Sequence, residues 1–440
     1  MKKVLLAVVC VILVIGLAGT AVFAAKRPYE GITIRCMMEP HPASYALQSL
    51  VKEFEEKTGM KVILEIVPYD HLTEKALLSF TSRKGDYDVI HDDAAFHAGG
   101  YVRAGYLEPL DAYLKNRKFD NSDLELSDFM PKFIEQLKYD GKLYGLPLYG
   151  ESTFLMYRKD LFAQYGVKVP KTLTELKEAA AKLTLDTNKD GTPDIYGITL
   201  RGRRGIHIVY TWTGFMWAFG GRYLDKDLKP VVNNPANIKA TEYYVDLLTK
   251  YGPPGASNYG WEENRVAFEQ GHAAMTIDAT VNGALAEDKE KSKVAGKVGY
   301  AVFPKGPGDS GASIAVHGLY ISKFSKHKDA AYEFIKWATS KKVQLESLNI
   351  NPHCGVTRRS VLQSPVFAAK FGPFKDALVD SIDDGNVQYV PRLGETFELT
   401  SRVGVALSEA LAGVKTPAQA LKEANDDIYK MLKDAGYYKK

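Results

Sequence analysis

Between Gly31 and Ile90 the chain alternates strand and helix, and this alternation constrains its fold more than any other feature. Gly31–Cys36 reads as a strand. Ala46, Leu47, Leu50, Val51 and Phe54 share one face of a helix that stops at Gly59. Val62–Val67 predicts the next strand, His71–Phe80 the next helix, and Tyr87–Ile90 a buried strand. This βαβαβ order implies a parallel sheet with helices on its faces, an α/β architecture. In such sheets ligands bind beyond the carboxyl ends of the strands. Three loops are thereby placed at one rim: Met38-Glu39-Pro40-His41, Pro68-Tyr69-Asp70 and His91-Asp92-Asp93.

A second constraint lies at Gly141–Asp160, GKLYGLPLYGESTFLMYRKD. Gly141 and Gly145 allow tight turns, and Pro147 forbids a helix through it. Phe154, Leu155, Met156 and Tyr157 then form an apolar, strand-like run that stops at Arg158, Lys159 and Asp160. Glu151 is the one carboxylate in the middle. A strand that leaves one domain, presents an acid and an aromatic, and enters another serves as both hinge and site.

The same stretch resembles the crossover of extracellular solute-binding proteins of sugar ABC importers, the group that includes maltose-binding protein. That family's "G-x-x-Y-G-L-P", "Y-N-K-D-L-F" and "P-x-T-W-x-E-L" blocks read here as Gly141–Pro147, Tyr157–Phe162 and Pro170–Leu176. Arg158 replaces the usual Asn and Leu173 the usual Trp. Fainter similarity covers nearly the whole mature chain. The resemblance implies a two-lobed periplasmic-binding-protein fold, each lobe a mostly parallel sheet flanked by helices, with a ligand cleft between lobes. It implies residues 25–148 and 320–352 in the first lobe, and 149–319 and 353–440 in the second. The expected partners are a small carbohydrate or polyol and the transmembrane subunits of an ABC importer, served by a monomer.

The amino terminus agrees. Lys2 and Lys3 precede an unbroken apolar run, Val4–Leu17, and then small residues up to Ala24 and Ala25. This is the layout of a secretory signal peptide over residues 1–24. The run is too short for the ~20 residues of a spanning helix. The expected location is therefore periplasmic or at the cell surface. The net charge of +4 falls to +2 without Lys2 and Lys3. With no long basic run interleaved with aromatics, a nucleic-acid partner is not expected. Removal of Cys10 would leave Cys36 and Cys354, which an oxidising compartment allows to pair.

Candidate ligand contacts follow from chemistry and from the resemblance. An ionised carboxylate accepts hydrogen bonds from vicinal hydroxyls of a sugar or polyol. Asp92 and Asp93 sit in a loop where the family places a ligand-contacting acid, although one of them equally caps the helix that follows. His41 shares the rim, and Glu151 the crossover. Tyr210 and Trp212 open an aromatic-rich segment ending at Gly220-Gly221, whose first residues face ligand in the family. A ring removes the sugar's C–H face from water. Trp261 stacks on ligand or packs on its lobe. Its surroundings, Gly252-Pro253-Pro254-Gly255 and Asn258–Glu263, resemble the polyol-binding branch. Ala273-Ala274-Met275 matches the family's "A-A-M" strand, so Asp278 and Asn282 are carried over as contacts. Arg392 falls where the family presents another cleft loop, and reads equally as a surface ion pair.

The segment Asp186–Gly197 matches a calcium loop at Asp186, Asn188, Asp190, Gly191 and Asp194. Its twelfth position, where a bidentate Glu belongs, is Gly197. An acidic turn is the favoured reading; calcium, if held, would be structural, and no other cofactor is expected. No nucleophile elbow, zinc helix, phosphate loop or dinucleotide fingerprint occurs. Two functions therefore stand: a binding protein that closes on its ligand, and a secreted carbohydrate-active enzyme, which needs only two acids.

Overall fold

The computed structural model describes residues 27–438, apart from the side chains of Tyr69 and Asp70. The expected signal peptide lies outside the described residues. Two sheets organise the chain. The first has five strands in the order β2-β1-β3-β8-β4. They are β1 (Thr33–Met38), β2 (Lys61–Ile66), β3 (Val89–Asp93), β4 (Gly145–Glu151) and β8 (Ala315–Ile321). β1 pairs parallel with β2 and β3, joined by the helices Pro42–Thr58 and Tyr69–Ser82, as the alternation predicts. β8 alone runs against its neighbours, because it returns from the other half of the molecule.

The second sheet is β6-β5-β7, with β5 (Thr153–Arg158) between β6 (Met275–Ala279) and β7 (Val298–Val302). Here the expected parallel order is not what the strands adopt. β5 is antiparallel to both neighbours. The reason is directional: β5 carries the chain away from the crossing, and β6 and β7 bring it back. Parallel pairing survives as single bridges, Tyr196 to Ala273 and Thr199 to Thr276.

The crossing is at Ser152. Its amide donates to Thr280 Oγ1 at 3.1 Å. Its hydroxyl donates to the carbonyls of Ser313 at 2.7 Å and Ser381 at 2.9 Å. One serine thus ties together segments distant in sequence. The first sheet reaches Glu151 and resumes at Ala315. Beyond residue 353, Arg358 still bonds to the Thr339 and Leu124 carbonyls of the first half.

Two apolar cores form, and the first extends past the first sheet onto Phe154 and Met156 of β5 and Val298 of β7. The first includes Met37, Ile90, Phe133, Leu319 and Phe334. The second includes Trp212, Phe215, Tyr244, Ile277 and Leu421. Helices Thr396–Leu411 and Pro417–Asp434 complete the second, packed against each other and, through the former, on Ile206–Ala218. The capping box predicted at Thr172 and Glu175 is formed. Cys36 and Cys354 are buried free thiols, so the allowed disulfide is not made. Among the described residues no helix is long and apolar enough to cross a membrane.

Candidate functional site: a polar cluster at the crossing

Strand register builds the site. β8 sets His317 opposite Asp93 of β3 on one side and Tyr149 of β4 on the other. Ala315 pairs with Glu151 two residues along. Side chains alternate across a strand, so His91, Asp93, His317, Tyr149 and Glu151 share one face of the sheet. Asp92 takes the other.

On the shared face a charge pair is fixed. His317 Nδ1 lies 2.8 Å from Glu39 Oε1, and Tyr149 Oη donates to Glu39 Oε2 at 2.6 Å. Burial pulls the imidazole of His317 down, but Glu39 and then Asp93 and Glu151 outweigh it and raise it to about 10. Burial opposes ionisation of Glu39, yet His317 and His91 hold it at about 2. The pair is therefore charged at neutral pH. His41 stacks on Tyr149 at 3.6 Å between ring centroids, and Tyr149 stacks on His317 at 4.2 Å.

Glu151 stands beside this pair. Burial pushes its carboxyl up to about 7, with His317 and Arg201 pulling against it and Asp278 and Asp93 adding to it. Its carboxylate makes no hydrogen bond to the described residues. Among the buried polar atoms without a partner are His41 Nε2, His91 Nε2 and Asn282 Nδ2. His41 Nδ1 and His91 Nδ1 both accept backbone N–H groups, so each Nε2 carries a proton when the ring is neutral. Burial lowers both rings below the ordinary histidine range, His91 to about 4. The cluster thus offers unused donors beside one unused acid.

The second half contributes Arg201 and Asp278, which form a buried ion pair with Arg201 Nε 3.0 Å from both Asp278 oxygens. Asn264 Nδ2 also donates to Asp278, at 2.6 Å. The Arg201 guanidinium lies 4.5 Å from the ring centroid of Tyr210, whose hydroxyl meets Ser313 Oγ at 3.1 Å.

The predicted contacts divide accordingly. His41, Asp93, Glu151 and Tyr210 are brought to the cluster. Asp93 caps the helix that follows it and also faces His317. Its Oδ1 caps Ala95 and Phe96, and its Oδ2 lies 3.7 Å from His317 Nε2. Asn282 holds Trp261, whose Nε1 donates to Asn282 Oδ1 at 2.8 Å. Asp92 is a correction. It is 0% exposed, and its oxygens are taken by His97 at 2.8 Å, by the hydroxyl of Tyr101 at 2.6 Å and by the Asp93 amide. Asp278 is likewise spent on Arg201 and Asn264 and orients them. Trp212 is also corrected: it is 0% exposed and donates to Thr241 inside the second core. Arg392 reaches main-chain carbonyls of the first half, at Gln136 by 2.9 Å and Glu135 by 3.2 Å.

The carboxylates of the calcium-like loop are engaged within the turn itself. Asp186 accepts from the Asp190 and Gly191 amides, Asp190 from Thr192, and Asp194 from Thr187. A Cβ on Gly197 would lie 1.9 Å from the Ala180 carbonyl oxygen, so no Glu can occupy the twelfth position. Among the described residues no three His, Cys, Asp or Glu side chains are grouped to hold a metal ion.

Sequence reasoning missed Glu39, Tyr149 and His317 as members of the cluster. Glu39 and Tyr149 lay inside stretches already marked as rim and crossover. His317 had no local signal, because its partners are 278 and 224 positions away in sequence.

Two lobes joined by repeated crossings, with a polar cluster at the crossing, are the geometry of a protein that closes on a solute. Residues 39–345 match the family of bacterial extracellular solute-binding proteins. The chain belongs to that family. This solute-binding protein is 32% identical over 413 residues to the mannitol-binding protein of Pseudomonas aeruginosa, with 89% of this chain and 91% of that one covered. It superposes with a TM-score of 0.82 on an ABC transporter solute-binding protein from Agrobacterium radiobacter in complex with ribitol. The two are 32% identical, with 92% and 100% of the chains covered. A solute-binding protein from Agrobacterium vitis with bound D-mannitol gives a TM-score of 0.80 at 33% identity, with 93% and 100% covered. These relatives are binding proteins of ABC transporters, not enzymes, and the family is extracytoplasmic.

Proposed function

We propose that this solute-binding protein captures a small polyol, an open-chain five- or six-carbon one ahead of a ring sugar. The lobes close on it, and a monomer in the periplasm or at the cell surface presents it to the transmembrane subunits of an ABC importer. One observation carries the reading: the unused Glu151 carboxylate lies in the same buried cluster as two unpartnered imidazole N–H donors, and Asn282 adds an amide from the second half. A polyol supplies a donor and an acceptor at every carbon, so one molecule satisfies all of them. The polyol-bound relatives support the class of ligand.

Thermal denaturation with ribitol, D-mannitol, D-glucose and maltose tests it. A ligand at a thousandfold excess over Kd adds about 4 kcal/mol, seen as a rise in Tm of several degrees. The polyols are expected to raise Tm and to be recovered unchanged. A shift with none of the polyols, or product formation from any ligand, would overturn the proposal.

A further inference from the structure

Directly after Asp93 of the cluster, main chain packs against main chain across the two halves. A Cβ on Gly99 would lie 2.6 Å from the Leu393 carbonyl oxygen, and one on Gly100 would lie 3.1 Å from that of Gly394. A Cβ on Gly394 would meet Arg103 Cδ at 2.4 Å. None of these glycines has the left-handed backbone that favours glycine, so what they supply is room. The segment 94–103 follows β3 in the first half. The loop 391–395 leads into Thr396–Leu411, which packs on Ile206–Ala218 in the second.

Side chains hold this seam shut. Arg103 donates to Glu395 at 2.8 Å and to the Ala435 carbonyl at 2.8 Å, and also meets the Tyr437 hydroxyl. Arg392 donates to the carbonyls of Glu135, Gln136 and Lys138, and its guanidinium lies 4.5 Å from the Tyr139 ring centroid. Tyr139 in turn donates to the Ala94 carbonyl at 2.6 Å. His97 and Phe397 close the outer edge, with ring centroids 5.5 Å apart.

We propose that this glycine-lined seam is an end wall of the cleft and sets the length of ligand that the closed protein accepts. An oligosaccharide longer than the site would have to pass between Gly99 and Leu393, where not even a methyl group fits. The inference rests on the polyol reading and adds to it a limit on size, assigned to Gly99, Gly394, Arg103 and Arg392.

Calorimetric titration with D-mannitol, ribitol and maltotriose tests it on the full chain and on two variants. The native protein is expected to bind a polyol at least a hundredfold more tightly than maltotriose. Gly99→Ala adds one carbon at the seam and raises helix propensity. It is expected to keep the unliganded Tm and to lose at least tenfold in polyol affinity. Arg103→Ala adds no atoms and is expected to speed polyol release at least threefold, read by stopped flow. Polyol and maltotriose affinities within tenfold of each other would overturn the wall alone. So would native polyol affinity in Gly99→Ala together with native release in Arg103→Ala. Binding of neither polyol would overturn the polyol reading and the wall with it.

Discussion

Glu151 enters a buried cluster with its carboxyl raised to about 7, and burial is the first cause. A raised carboxylate has a definite sign in linkage. Between its ordinary value near 4.5 and about 7 the folded state binds more protons than the unfolded one, so stability falls as pH rises through that window. The full cost, at most about 3 kcal/mol, is present above it. Glu151→Gln is expected to flatten this slope in denaturant melts run from pH 4.5 to pH 8. An ionised acid is also the stronger acceptor for ligand hydroxyls. Polyol affinity is expected to rise as pH passes through about 7 and to weaken by ~1–3 kcal/mol in Glu151→Gln, read by calorimetry. Asp92 calls for the opposite outcome. Its removal leaves Tyr101 and His97 without their acceptor inside the first core, so Asp92→Ala is expected to cost roughly 1–3 kcal/mol of stability. Affinity per folded molecule should stay native. The two neighbouring acids were legible as a pair. Which of them faces the cluster was not, because strand alternation says only that they point apart.

At the scale of elements, the helix Ile206–Ala218 shows the same division. Its aromatic content was plain in the sequence. Tyr210 and Trp212 are two residues apart, which on a helix is about 200° of rotation, so both cannot line one cleft. The packing of Pro235–Tyr251 decides between them: Thr241 takes the indole N–H, and Tyr210 turns to Ser313 and Arg201. Trp212→Ala is expected to cost ~3–5 kcal/mol of stability in chemical denaturation and to leave polyol affinity of the folded fraction unchanged. A loss of affinity without a loss of stability would return Trp212 to the ligand. The strands of the first half were read within one to three residues, the largest difference being the third, which runs on to Asp93 and makes His91-Asp92-Asp93 strand in place of loop. Their hydrophobic runs are short, buried and bounded by turns, the pattern that parallel strands produce. The antiparallel β6-β5-β7 sheet was missed because direction is not a local property.

For the molecule as a whole, the seam from Gly99 to Leu393 and the guanidinium groups of Arg103 and Arg392 bridge the two halves. Closure must be reversible if solute is to enter, and the crossing at Ser152, a single residue between β4 and β5, is the expected hinge. Small-angle scattering is expected to show a smaller radius of gyration with D-mannitol than without it. An identical scattering curve in both states, with ligand bound, would rule out hinge closure.

By itself the sequence determined the alternation that makes the first sheet, the acid-bearing crossover at Glu151, and the family to which both belong. Each is a local pattern of polarity, turn residues and spacing. Tertiary structure alone decided that Glu39, Tyr149 and His317 meet, that Asp93 and not Asp92 faces them, and that Arg392 donates to main-chain carbonyls of the other half. Periodicity tells which side chains share a face, but only strand register and the folding of distant segments onto one another tell what that face meets.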